Sequence, residues 1–211
     1  ALSTGNALAS CETAAGGLTR DQVRAELAEA QRNGTLIADG ETGATFRQLY
    51  PPRALLVVGA GNGRNPWVQY LMAANYDNVT LVEADEPTAA RLKLVAQAQP
   101  SWKVHGLLVG RSSGPTRFYT ASLQPESGLL EPESLRNLWP NLKTTHKQTR
   151  QAIALAELQQ DTEPSANWLL VDCLPALPII QGATQQLAAF DVMGIGCDFK
   201  VCGETSNGCC E

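Results

Sequence analysis

Short apolar runs alternate with amphipathic stretches over most of the chain, from Arg53 to about Met193. Ala54–Val58 (ALLVV) and Trp168–Val171 (WLLV) are unbroken apolar runs, the pattern of strands buried on both faces. Val79–Glu83 (VTLVE) and Lys103–Val109 (KVHGLLV) predict two further strands, and Phe190–Met193 begins another. Helices are predicted at Pro66–Asn75, Thr88–Gln99, Ser134–Leu138, Ala154–Gln160 and Pro178–Ala189. Arg117–Thr120 reads as a short antiparallel strand after the Gly114-Pro115 turn, and the polar stretch around His146 as a solvated face or loop. Strand–helix alternation of this kind predicts an α/β fold with a mainly parallel, Rossmann-like sheet.

The flanks have a different texture. Residues 1–17 are small and polar, and read as a flexible start or the end of a signal sequence, Ala7-Leu8-Ala9 having the form of a cleavage site. A helix follows, with Thr19 as N-cap and Gln22 placed to complete a capping box. Leu18 and Val23 are spaced for a hydrophobic staple, and Asn33-Gly34 ends the helix. Pro51-Pro52 marks a boundary. The expected organisation is therefore 1–17, a helical segment at 18–50, an α/β domain at 51–193 and a Cys/Gly-rich tail at 194–211.

Composition narrows the classes of function. The 211 residues carry a net charge of −5, against the basic balance expected of a nucleic-acid binder. No apolar run reaches the roughly 18–20 residues of a membrane span. Five of the six cysteines (Cys11, Cys197, Cys202, Cys209 and Cys210) lie in the two flanks. Their spacing does not match zinc-binding patterns, so no metal is expected. In an exported protein they would form disulfides within or between chains, and in the cytosol they would be free thiols. Cys173 reads as an inert core residue.

The chemistry centres on Gly59-Ala60-Gly61-Asn62-Gly63, directly after the first strand. Glycines there let the chain turn sharply and approach a ligand closely. The third position of the dinucleotide fingerprint falls on Arg64, which disfavours NAD or FAD, and the phosphate-cradling Lys-Ser/Thr loop is absent. Glu83 ends the second strand about twenty residues on, where a carboxylate accepts from ribose hydroxyls; Asp85 is the nearby alternative.

Two resemblances extend this reading. LTRDQVRAELAEAQRNG, DGETG and RQLYP, within residues 18–50, resemble a family of small exported proteobacterial proteins of unknown function. The G-x-G-x-G spacing resembles motif I of class I S-adenosylmethionine-dependent methyltransferases. LLVVGAGNGRNPWVQYL, LVEADEPTAARL, the Gly114–Tyr119 turn-strand and WLLVDCLPALPIIQGA resemble the FkbM type in particular, from Leu55 to Met193. That resemblance implies S-adenosylmethionine at Gly59, Gly61, Gly63 and Glu83, and a hydroxyl acceptor on a sugar or small molecule. The chain departs from it at Val57, Leu174 and Leu177, where family members often carry acids, and in ending soon after Met193, where further strands are usual.

Methyl transfer is an in-line displacement helped by a base when the acceptor is a hydroxyl. Asp172, at the end of its strand, and His105, in the third strand, are the candidates near the carboxyl edge, each with an ordinary structural reading beside it. Residues 125–140 read as a surface insertion able to face an acceptor. The other reading of the whole chain is an exported, catalytically degenerate subunit, homo-oligomeric or cross-linked through its terminal cysteines. An active methyltransferase is expected in the cytoplasm, and the subunit outside it.

Overall fold

The structure is a computed structural model that describes residues 19, 21–23, 25, 26, 29 and 43–196. The chain divides into two compact units, residues 1–46 and 47–211. In the first, the capping box is formed. The Thr19 N–H donates to Gln22 Oε1 at 2.7 Å, and the Gln22 N–H donates to Thr19 Oγ1 at 3.3 Å. Leu18, Asn33-Gly34, Cys11 and Cys197–Cys210 lie outside the described residues.

The elements are α1 (Phe46–Leu49), β1 (Leu55–Val58), α2 (Pro66–Ala73), β2 (Val79–Val82), α3 (Glu86–Ala96), β3 (Lys103–His105), β4 (Leu108–Gly110), β5 (Gly114–Ala121), β6 (Thr144–Ala154), α4 (Leu155–Gln160), β7 (Trp168–Val171), α5 (Ala176–Gln181) and β8 (Val192–Ile195). Short 3-10 turns stand at Gln124–Glu126, Pro132–Leu135 and Leu187–Ala189.

Five strands form a sheet in the order β3-β2-β1-β7-β8, and every pairing is parallel. A parallel sheet covered on both faces needs continuous apolar strands. β1, β2 and β7 are buried at every position. Alternate residues serve opposite faces. Leu55, Val57, Leu81 and Leu170 pack with Val68 and Leu71 of α2 and Leu92 of α3. Leu56, Val58, Leu169 and Val171 pack with Leu155 and Leu158 of α4 and Ile179 of α5. Each such side chain contributes about 1.5–3 kcal/mol on burial.

Helix starts follow local chemistry. Asn65 caps α2 by accepting from the Val68 N–H at 2.9 Å, and Pro66 occupies the first turn, where its missing N–H costs nothing. Asp85 caps α3 in the same way.

The second sheet differs most from expectation. It has the order β4-β6-β5, with β4 and β6 parallel and β5 and β6 antiparallel. The apolar run at 103–109 splits at Gly106-Leu107, so that β3 joins one sheet and β4 the other. The polar stretch around His146 is not a loop but the long strand β6. Its middle is exposed on both sides, so backbone pairing to β5, not burial, holds it. β5 runs over the whole of Gly114–Ala121, and β8 continues two residues past Met193, into the segment expected to be tail.

Candidate functional site

The switch point of the large sheet lies between β1 and β7. β2 and β3 build outward on one side of β1, and β7 and β8 on the other. Ligands in such sheets bind outside the carboxyl ends of the strands at this point. The glycine loop leaves β1 there.

Three glycines of this loop have left-handed φ values, +81° at Gly59, +59° at Gly61 and +82° at Gly63. Their surroundings separate their roles. A Cβ on Gly59 would lie 2.6 Å from Cys173 Cβ and 2.7 Å from the Asp172 carbonyl oxygen, so Gly59 lets β7 approach. A Cβ on Gly63 would lie 3.0 Å from Val95 Cγ1, so Gly63 lets α3 approach. A Cβ on Gly61 would meet nothing closer than Asn65 Nδ2 at 4.0 Å. Gly61 therefore presents bare backbone to open space. Gly63 does the close packing that a third fingerprint glycine would do at Arg64, and Arg64 is exposed.

Glu83, just past the end of β2, supports the loop from beneath. Its Oε2 accepts from the Gly61 N–H at 2.8 Å, and its Oε1 from the Asp85 N–H at 2.8 Å. Burial pushes its carboxyl above the ordinary range, and these N–H groups oppose the push. A carboxylate offers about four acceptor sites, so with the Gly61, Asp85 and Ala84 N–H groups on it this one keeps capacity for a ligand hydroxyl.

Asp172 follows β7 directly, and its N–H donates to Val58 O at 2.8 Å. Asn65 Nδ2 donates to Asp172 Oδ2 at 3.0 Å and to Ala60 O at 3.2 Å. One amide thus ties the glycine loop, the start of α2 and the acid together. Gly196 closes the other flank, where a Cβ would overlap Asp172 Oδ1. Cys173 adjoins this group. Burial, then Glu83 and Asp172, push its thiol up to about 12, so it is not a nucleophile at neutral pH.

Two candidates take other positions. Asp85 stands beside Glu83 but is turned to the start of α3. Its Oδ2 accepts from the Thr88 N–H at 3.1 Å, Thr88 Oγ1 at 2.6 Å and Gln124 Nε2 at 2.7 Å, which makes it the cap of α3. His105 ends β3, two strands from β1. Its carbonyl accepts from the Glu83 N–H at 3.0 Å. Burial, Lys103 and Lys93 lower its pKa against an opposing Asp161, and none of these charges belongs to the glycine-loop site. Among the described residues, the structure therefore joins Gly59, Gly61, Gly63, Glu83 and Asp172 and leaves the His105 side chain outside.

Asn65 and Gln124 carry no motif signal. Each acts through a partner far along the chain, and a helix cap signal alone marks Asn65. Among the described residues no group of three or more His, Cys, Asp or Glu side chains is arranged to hold a metal ion, and no helix is long and apolar enough to cross a membrane.

Residues 1–46 match a protein family described as a domain of unknown function (DUF4148). No curated protein and no solved structure matches the chain.

Proposed function

We propose that residues 51–193 form an S-adenosylmethionine-dependent methyltransferase-like domain of the FkbM type, acting on a hydroxyl of a sugar or small molecule. The observation that carries this reading is the bare face of Gly61 held against Glu83. It offers close backbone approach and a hydroxyl-accepting carboxylate at one point, at the switch point of a parallel sheet. These residues suit the methionine and ribose parts of the cofactor. When bound, the cofactor supplies a methyl group on a sulfonium, which leaves as a neutral thioether on displacement.

The chain's own part is orientation and proton movement. Gly61 and Glu83 would hold the ribose, and Asn65 holds Asp172 in one orientation. Asp172 would take the proton of the acceptor hydroxyl as that oxygen becomes the nucleophile. Calorimetric titration with S-adenosylhomocysteine tests the reading, with Gly61→Arg as control. Saturable binding by the wild-type chain that Gly61→Arg abolishes is the expected result. No binding by the wild-type chain sinks it.

A second reading has its own support. Leu174 and Leu177 are exposed where the resemblance expects acids, and Met193 and Ile195 are half-exposed on the edge strand β8. An exported, catalytically degenerate subunit would use such surfaces in assembly. Intermolecular disulfides in the native protein, together with absent cofactor binding, would favour it.

A further inference from the structure

β6 is paired unevenly on its two edges. β5 covers one edge from Thr144 to Ala152. β4 covers the other only from Ala152 to Ala154. On that second edge the strand runs uncovered before Ala152, and Thr145–Thr149 are exposed without a break. The pairing fixes where the backbone groups of this run point. Tyr119 of β5 exchanges both backbone hydrogen bonds with Gly128, at 2.9 and 3.0 Å, so its N–H and C=O point away from β6. Opposed residues in an antiparallel pair alternate between bonded and non-bonded. Tyr119↔Lys147 and Arg117↔Thr149 are therefore non-bonded pairs, and the N–H and C=O groups of Lys147 and Thr149 point out along the open edge. Pro115, opposite Gln151, fits the same phase, because it has no N–H to give to β6. Among the described residues no backbone group pairs with those of Lys147 and Thr149.

The outer edge of β5 is blunted, since Pro115 lacks a donor and Tyr119 is occupied by Gly128. The open edge of β6 carries charge instead. Residues 114–123 and 143–154 contain Arg117, Lys143, Lys147 and Arg150 and no Asp or Glu, in a chain whose net charge is −5. Arg150 is held by the Ala84 carbonyl and by Glu86. Among the described residues Arg117, Lys143 and Lys147 form no ion pair. The Lys147 ammonium sits 5.2 Å from the centre of the Tyr119 ring, on the face it shares with Arg117 and Thr149. Two copies pairing edge to edge through β6 would bring two such basic edges together, and like charges opposite each other destabilise a sheet. An acidic strand meets no such cost.

We propose that the open edge of β6 at Lys147–Thr149 takes an extended acidic segment of a partner protein as an added strand, laid end to end with β4. The backbone groups of Lys147 and Thr149 give the added strand its hydrogen bonds. Lys147, with Arg117 behind it on the same face, selects acidic side chains at alternate positions. This edge belongs to the second sheet, and its use does not depend on cofactor binding at the glycine loop.

The test uses the full-length chain, read by amide hydrogen exchange in NMR and by fluorescence anisotropy. In the free chain the Lys147 and Thr149 amides should exchange at least about tenfold faster than those of Gln148 and Arg150, which bond to β5. The probe is a short labelled peptide alternating glutamate and valine. One control is the same peptide with its backbone nitrogens methylated, which keeps the charge and removes every donor; the other alternates lysine and valine. The acidic peptide is expected to bind and to protect Lys147 and Thr149, with both controls at least about tenfold weaker. Lys147→Glu should weaken the acidic peptide by about tenfold or more and favour the lysine peptide. Thr149→Pro removes an outward donor without touching a bond to β5, and should weaken the acidic peptide while leaving the Gln148 amide protected. No binding of the acidic peptide at millimolar concentration overturns the proposal. Equal binding of the methylated peptide also overturns it, by making the ribbon a charge patch open to any polyanion. Protection of Lys147 and Thr149 in the free chain overturns it too: the edge is then covered by a second copy if the protection rises with protein concentration, and by the chain's own terminal segments if it does not.

Discussion

The two ends of the parallel sheet use polar residues in opposite ways. At the amino end, side chains close the backbone on itself. Buried Asn167 accepts from the Arg53 and Ala54 N–H groups at 2.8 and 3.3 Å, and donates to Pro51 O at 3.0 Å and Asp191 Oδ2 at 2.7 Å. Trp168 Nε1 donates to Tyr50 O, and Trp102 Nε1 to Tyr76 O. At the carboxyl end, Glu83 and Asn65 hold a glycine loop whose central residue has bare backbone open to space. An open depression of about 350 Å³ does lie at the amino end, among Arg47, Arg53 and Tyr76. There Arg47 stacks 4.7 Å above the Tyr76 ring, and among the described residues no glycine backbone or acid pair converges. Concavity alone does not mark a site; polar groups held open around a bare backbone do.

Removing an amino-end staple should therefore cost stability. Asn167→Ala strips four hydrogen bonds and leaves buried backbone groups unpaired. The expected loss is about 3–5 kcal/mol, read from urea unfolding. A loss under about 1 kcal/mol would mean that this end is not stapled as described.

The next largest effect separates two glycines of one loop. Gly59→Ala forces a Cβ against Cys173 and the Asp172 carbonyl, in a conformation that side chains avoid. A loss of about 3 kcal/mol is expected. Gly61→Ala meets no such wall and should cost about 1 kcal/mol from its left-handed backbone alone. If the loop binds cofactor, Gly61→Ala should nonetheless weaken S-adenosylhomocysteine at least tenfold by calorimetry, because its methyl group occupies the approach. Equal stability losses at the two positions would erase the distinction.

What the sequence discloses follows the same division. β1, β2 and β7 are legible because burial on both faces leaves an unbroken apolar run. The glycine loop and Glu83 are legible because each uses a residue type that few alternatives can replace. β6 is not legible, because TTHKQTRQ has no apolar alternation and its strand is specified by β5 across an intervening loop. The break at Gly106-Leu107 hides inside a continuous apolar run, since both halves are strand but belong to different sheets. Gln124 and Asn167 act across long stretches of chain that no local pattern announces, and Asn65 is announced only as a helix cap, not as the partner of Asp172.

The smallest effect tests the carboxyl end by pH. Burial holds the Glu83 carboxyl above its ordinary value in the folded chain, while in the unfolded chain it titrates near about 4.3. Between these two values the folded protein keeps a proton that the unfolded chain has released. Folding then takes up a proton, so this group makes stability fall as pH rises through that window. Below both values its contribution is constant, and above both the burial penalty is complete. Glu83→Gln removes the titration, and its single amide oxygen can serve only one of the Gly61 and Asp85 N–H groups well. Urea midpoints measured across the acidic range should show a shallower decline with rising pH in Glu83→Gln than in the wild type. Parallel curves would mean that Glu83 titrates as an ordinary solvated acid, and that the glycine loop stands without a buried carboxylate beneath it.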